Sequence, residues 1–261
     1  MFYALASGKI DTGDLRYEHV LQDIESLNQR ALQGELEVTA VSIHAYAYLA
    51  HRYALLSHGA SMGERYGPRL VARTPLTRPQ VKGARIAVPG LMTSAYLALR
   101  LFEPDFVAVP TPFDQIEEAV ANRSVDVGLL IHEGQLTFGD QGLHLVADLG
   151  EWWYGETSLP LPLGGNVVRK DLGPQLIKQL SRHLRDSIAY ALDHRGAALD
   201  HAMQYARGLE RQAADTFVGM YVNQRTLDYG EDGKAAVRLF LKRGFAAGII
   251  PHEVRVEFVE D

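Results

Sequence analysis

The sequence has no cysteine, and this single absence removes disulfides, thiolate nucleophiles and zinc–thiolate sites together. A cytoplasmic address is the expectation that follows. No cluster of Lys or Arg exceeds the pair Lys242-Arg243, and the formal net charge is -6. The chain therefore lacks a surface that tracks phosphates, and nucleic acid is not an expected partner. No apolar stretch reaches the roughly 20 residues that span a bilayer, and residues 1–9 carry neither a basic leader nor a long apolar region, so no membrane partner or secretion is expected. Although there are 10 histidines, neither a His-Glu-x-x-His motif nor paired-carboxylate spacing occurs, so no metal is expected.

What the chain does have is apolar mass: 47% of its 261 residues are hydrophobic, enough for one large domain or two small ones. Residues 23–32 place apolar side chains at helical spacing, and Gly34 supplies the stop. Residues 36–41 alternate as a strand does. Ser42 follows directly as a natural N-cap for the apolar helix that begins at Ile43. Residues 70–73 read as one more strand, and the segment around Pro75 and Pro79 as a linker. After Gly83 the pattern becomes regular. Strands at 84–88, 106–109 and 125–131 alternate with helices at 93–102 and 113–122, two successive β-α-β units that call for a parallel sheet with right-handed crossovers. Phe113, Ile116, Ala119 and Val120 share one helix face, as core residues do. Leu143, Leu145 and Ala147 alternate onto one face of a short strand. A Pro/Gly-rich stretch, 159–168, reads as a return crossing with Gly164-Gly165 as a hinge, and the tail from Pro174 is helical. The chain thus divides into a discontinuous first α/β lobe, 1–79 with 164–261, and an inserted second lobe, 83–160.

The most informative segment is 125–135, Val-Asp-Val-Gly-Leu-Leu-Ile-His-Glu-Gly-Gln. Its apolar run describes a strand buried on both faces, and His132 stands at the carboxyl end. In open α/β sheets ligands bind beyond those ends, which makes His132 a candidate acid or base; the alternative is a hydrogen-bonded structural histidine. Two further junctions carry hydroxyls. Ser42 begins one helix, and Thr93 and Ser94 follow the Pro89-Gly90 turn at the start of another. Helix amides there suit an anion, though each hydroxyl is equally explained as a plain cap. Facing one crevice, these junctions and His132 would form a site for a small-molecule carboxylate that needs no cofactor. Glu133 and Gln135 are candidates to orient His132. Trp152-Trp153 and His44 read as packing residues.

Residues 36–49, 86–96, 128–138, 148–153 and 159–172 resemble 1,4-dihydroxy-6-naphthoate synthase of the futalosine route to menaquinone, with Leu130-Ile131-His132-Glu133 as the most specific match. The resemblance implies an α/β, two-lobed fold of the type II periplasmic-binding-protein kind with an interdomain cleft. It also implies a cytosolic, cofactor-free lyase that splits cyclic dehypoxanthinyl futalosine to 1,4-dihydroxy-6-naphthoate. Carried over by position, His132 matches the proton acceptor. Ala40, Val41 and Ser42 match one substrate-contact segment, and Ser94 with Ala95 the other, with Thr93 in the same turn. Family members carry a further strand and a Ser-Pro-Cys-Pro-Asn-Asp-Thr loop before the stretch that matches 2–5. A first lobe built from this sequence alone is expected to lack that strand and one wall of the site. Rival readings are chorismate dehydratase of the same pathway, against which Ile131-His132-Glu133 argues, a non-catalytic solute-binding protein, and a ligand-sensing module. The last two call for a secretion signal or an attached signalling segment.

Overall fold

The computed structural model describes residues 1–205 and 210–259; the few remaining positions of the 164–261 range lie outside them. Ten strands are present among the described residues: β1 (Val38–Ser42), β2 (Tyr53–Leu56), β3 (Ser61–Gly63), β4 (Arg69–Ala72), β5 (Arg85–Val88), β6 (Val107–Pro110), β7 (Val127–Leu130), β8 (His144–Asp148), β9 (Leu161–Arg169) and β10 (Phe258–Val259). They form two five-stranded sheets. The first has the order β1-β9-β2-β10, with β3 also on β9, and the second has the order β6-β5-β7-β4-β8.

Both β-α-β units read from the sequence are present, since β5 lies parallel to β6 and to β7. The sheet is nevertheless mixed rather than parallel throughout, because β4 runs antiparallel to β7 and to β8. This also moves the first crossing. Residues 69–72 pair within the second sheet, so the chain has already left the first one before Arg69, not at 74–82. An apolar four-residue strand carries no mark of which sheet it joins, and tertiary pairing decides.

The return differs too. Gly164 and Gly165 do not form a hinge; they lie inside β9, whose pairing with β1 puts Gly164 opposite Ser42 and Gly165 opposite Val41. They are glycine for reasons of space. A Cβ on Gly165 would stand 2.2 Å from the Tyr229 hydroxyl, and one on Gly164 would stand 3.3 Å from the Val41 carbonyl.

In β7 every residue is buried. Gly128 is part of that design, because a Cβ there would come within 2.8 Å of both Ile116 and Val120. Its absence lets the helix Ile116–Ala121 lie close on the strand. Phe113 is not in this core: it belongs to a separate 3-10 turn, Phe113–Gln115, and remains half-buried beside His132. Leu145 departs from its expected face as well and is 46% exposed, where the β4–β8 register shifts between Leu70 and Val71.

One continuous apolar core joins the two sheets, running from Leu55 and Val167 to Leu70, Ile86 and Leu129. Trp153 is fully buried in it, donating its indole N–H to the Pro160 carbonyl at 3.1 Å and meeting Phe240 edge-on at 5.2 Å. Burying side chains of this size contributes about 2–3 kcal/mol each. The paired tryptophans are therefore packing residues, with Trp152 set edge-on to Phe102. Among the described residues no helix is long and apolar enough to cross a membrane.

Candidate active site

A cavity of about 270 Å³ lies where the two sheets meet. Ala40, Val41 and Ser42 reach it from the end of β1, and Thr93, Ser94 and Ala95 from the start of the helix Ser94–Phe102. His132 closes a third side, two residues after β7. All seven residues singled out from the sequence thus line one space. Met1 and Phe2 line it as well.

Of the three hydroxyls, Thr93 is a plain cap, as the sequence allows, while Ser42 and Ser94 are not. Ser42 occupies the N-cap position of the helix Ile43–Leu49 without capping it. Buried Asn28 holds it instead, accepting from the Ser42 N–H at 2.9 Å and donating to Ser42 Oγ at 3.2 Å. The His44 N–H of that helix is met across the cleft by Ser94 Oγ at 3.2 Å. Both serine oxygens thereby accept from the protein, which leaves each O–H to donate. Thr93 is different. Its hydroxyl accepts from the Tyr96 N–H at 3.1 Å and donates to the Gly90 carbonyl at 2.9 Å, so it is committed on both counts. The cavity is accordingly donor-rich at this end, with two helix N-termini adding positive potential.

His44 sits behind these helix starts as the packing residue expected. It is buried, its Nδ1 lies 3.3 Å from the Thr93 carbonyl, and its ring stacks on Tyr96. Burial lowers its pKa to about 4, against the opposing effect of the Thr93 contact.

His132 adopts a left-handed backbone, with φ at +56°. For a residue with a Cβ this is uncommon and costs on the order of 1–3 kcal/mol, so the surroundings must impose it. They do so through Gln135, which is 97% buried. In the amide orientation that satisfies its neighbours, Gln135 accepts from the His132 N–H at 3.2 Å and donates to the Gly67 carbonyl at 2.7 Å, with the Tyr221 hydroxyl also 2.7 Å away. Arg69 grips the Gln135 carbonyl at 2.5 Å and pairs with Asp148 at 3.3 Å. Beneath the turn Glu117 is half-buried, and burial, followed by the charge of Glu133, pushes its carboxyl up. Gln135 thus orients His132 through the backbone.

The imidazole stands between two cavities. Its ring is 4.7 Å from Phe113 and 6.5 Å from Phe217. On the far side opens a second space of about 450 Å³, lined by Leu21, Phe113, Glu133 and Val218 together with His132 and Phe217. Sequence reasoning missed Phe217 and Tyr221 on the helix Arg211–Tyr221, and Asn166 on β9, all of which line the first cavity. The signal for Asn166 is a polar residue inside the apolar run of β9 that precedes its terminal Arg169. Among the described residues no group of three or more His, Asp or Glu side chains is placed to hold a metal ion.

A family model described as menaquinone biosynthesis matches residues 1–246. Over 251 residues the chain is 44% identical to a Thermus thermophilus protein named 1,4-dihydroxy-6-naphthoate synthase, covering 95% of this chain and 91% of that one. A crystal structure of an Archaeoglobus fulgidus protein superposes with a TM-score of 0.91 at 47% identity, covering 95% and 93% of the two chains. At 14% identity, a Candida albicans protein described as having the generic periplasmic binding protein fold gives a TM-score of 0.64, with 100% and 93% covered. The architecture is therefore periplasmic-binding-protein-like, α/β and two-lobed, with the cavity between the lobes. Within that architecture the chain belongs to the menaquinone-biosynthesis family, as an enzyme of that route, and its resemblance to 1,4-dihydroxy-6-naphthoate synthase is borne out across nearly its whole length.

Proposed function

We propose that this chain is a cytoplasmic 1,4-dihydroxy-6-naphthoate synthase, a cofactor-independent carbon–carbon lyase that converts cyclic dehypoxanthinyl futalosine to 1,4-dihydroxy-6-naphthoate. The observation that carries the reading is His132, held in a left-handed backbone at the junction of two cavities, opposite a donor-rich wall. Strain of this kind persists where the surrounding structure over-determines it, and such places are enriched in function.

In this reading the Ser42 and Ser94 hydroxyls and the two helix starts hold the substrate's anionic end. The His132 imidazole takes a proton from an acidic carbon or hydroxyl, the electron pair left behind breaks the carbon–carbon bond, and the imidazolium returns the proton to the carbanion that departs as an enolate. No oxidant is consumed, and the two fragments sum to the substrate. Aromatisation of the naphthalene ring makes the sequence downhill. Ala40, Val41 and Ala95 contribute shape and backbone to the same pocket, and Thr93 fixes the helix start rather than the ligand.

The test is turnover of cyclic dehypoxanthinyl futalosine by the wild type and by His132→Ala and His132→Asn. Asparagine tolerates the left-handed backbone, so it separates loss of the base from added strain. Both variants should lose roughly 100-fold or more in kcat while ligand binding persists. Retained turnover would remove His132 from the chemistry, and no product from the wild type would favour a non-catalytic binding protein.

A further inference from the structure

We propose that Tyr221 is a further substrate-binding residue, whose hydroxyl donates a hydrogen bond to the ligand oxygen on which the enolate charge gathers. The identity of that oxygen rests on the lyase reading; the donor itself does not. Tyr221 ends the helix Arg211–Tyr221, is half-buried, and lines the inner cavity together with Gln135 and His132. Two rings fix its own. Phe217 meets it edge-on at 5.2 Å and Tyr66 at 5.7 Å, and Tyr66 is anchored in turn by donating its hydroxyl to the Met220 carbonyl. Packing therefore places the phenol before any ligand arrives.

Among the described residues the hydroxyl has one polar partner, the Gln135 amide. In the orientation that satisfies its neighbours, this amide donates to the phenol oxygen at 2.7 Å while its own oxygen accepts from the His132 N–H at 3.2 Å. The phenol oxygen thus accepts, and its hydrogen remains to be placed. The Gln135 oxygen is 3.3 Å away, but it belongs to the same amide, so an O–H turned towards it points back against the incoming N–H and is poorly aimed. An acceptor in the cavity serves it better. Burial pushes the phenol up, against the opposing Gln135 bond, so the group meets a ligand as a donor at neutral pH and not as an anion. One carboxamide separates it from the His132 backbone, and the Phe217 ring that packs on it also lies 6.5 Å from the imidazole. Donor and base share a wall. With Ser42 and Ser94 holding the substrate's anionic end, Tyr221 is left for the oxygen beside the reacting carbon. A donor there gains most as charge develops, because a hydrogen bond to an oxyanion is roughly twice as strong as one to a neutral carbonyl.

Tyr221→Phe keeps the ring and deletes the hydroxyl. With cyclic dehypoxanthinyl futalosine as substrate, kcat should fall by roughly 100-fold, the loss typical of one oxyanion donor, while KM changes little. The acid limb of the pH–rate profile, which His132 sets in the lyase reading, should stay where it is. A Tyr221 that serves only to seat Gln135 would instead move that limb, because His132 would lose its fixed orientation. Incorporating a ring-fluorinated tyrosine at the same position gives a second reading, since fluorine makes the phenol a better donor and a poorer acceptor. Donation to the substrate then keeps kcat at or above the wild-type value, whereas a hydroxyl that only accepts from Gln135 lowers both kcat and the melting temperature. Should Tyr221→Phe fail to fold, the fluorinated protein, which keeps the hydroxyl, decides alone. Turnover by the wild type with kcat retained in Tyr221→Phe, or a loss of kcat on fluorination, overturns the inference and leaves the lyase reading intact. No product from the wild type overturns both.

Discussion

Replacing Asn28 with alanine tests whether the inner wall of the cavity is held by this one buried amide. The side chain is fully buried on the helix Ile24–Gln33, and it makes two contacts with Ser42, at 2.9 Å to the N–H and 3.2 Å to Oγ. Each bond contributes about 1 kcal/mol net, and leaving the Ser42 N–H buried and unmatched adds about 1–2 kcal/mol. The expected loss for Asn28→Ala is therefore roughly 3–4 kcal/mol, which in a chain of this size lowers the melting temperature by about 6–15 °C. Ser42→Ala deletes only the hydroxyl contact and should cost about 1 kcal/mol. The double variant should reveal a coupling of about 1 kcal/mol between the two side chains, the remainder belonging to the backbone bond that Ser42→Ala leaves in place. Urea denaturation of the four proteins, followed by tryptophan fluorescence, gives all the numbers. If Asn28→Ala costs less than about 1 kcal/mol, or no more than Ser42→Ala, the backbone bond carries nothing and the argument fails.

Two further outcomes follow from the same packing. Gly165→Ala would drive a methyl to 2.2 Å from the fully buried Tyr229 hydroxyl and 3.0 Å from Leu55, so chemical denaturation should show a loss of about 1–3 kcal/mol; an unchanged midpoint would mean that β9 is freer than its pairing implies. His44 has a folded-state pKa near 4 against 6.5 for the free side chain, because burial disfavours its charge. Between those values the unfolded chain binds the extra proton, so stability should fall as pH drops from about 6.5 to 4, by on the order of 3 kcal/mol. His44→Gln should flatten that part of the stability profile, and an unaltered slope would assign the acid sensitivity to other groups.

Some of this was legible in the sequence because the chain writes local requirements locally. The apolar run of β7 ending in His132, the Asp23-to-Gly34 helix frame, and the Thr93 cap each depend on residues within a turn or two of one another. Other features depend on partners far along the chain. Gly164-Gly165 looks like a break when only neighbours in sequence are considered, yet its cause is Tyr229 and β1, 64 residues and more away in chain order. Likewise, the hydroxyl of Ser42 suggests a cap until Asn28, 14 residues earlier, takes it. Gln135 was visible as a neighbour of His132, but its bond to Tyr221 spans 86 residues. Asn166 gave no chemical motif at all, and only the fold places it in the cavity wall.

The misplaced strand and the correctly placed histidine are linked. β4 inserts between β7 and β8, so that Arg69 falls opposite Leu130 on one side and Asp148 on the other. From there its guanidinium reaches the Gln135 carbonyl and the Asp148 carboxylate at once. Asp148 is itself fixed, because it caps the helix Leu149–Thr157 by accepting from the Gly150 and Glu151 N–H groups. The turn that forces His132 into a left-handed backbone is thus tied through one arginine to a helix cap on the neighbouring strand. Had residues 69–72 remained in the first sheet, as a first lobe running to residue 79 expects, His132 would still end a buried strand. It would not be held at the angle that sets its ring between Phe113 and Phe217, where the two cavities meet. The antiparallel addition, which periodicity cannot register, converts a histidine at the end of a strand into one whose orientation the fold determines.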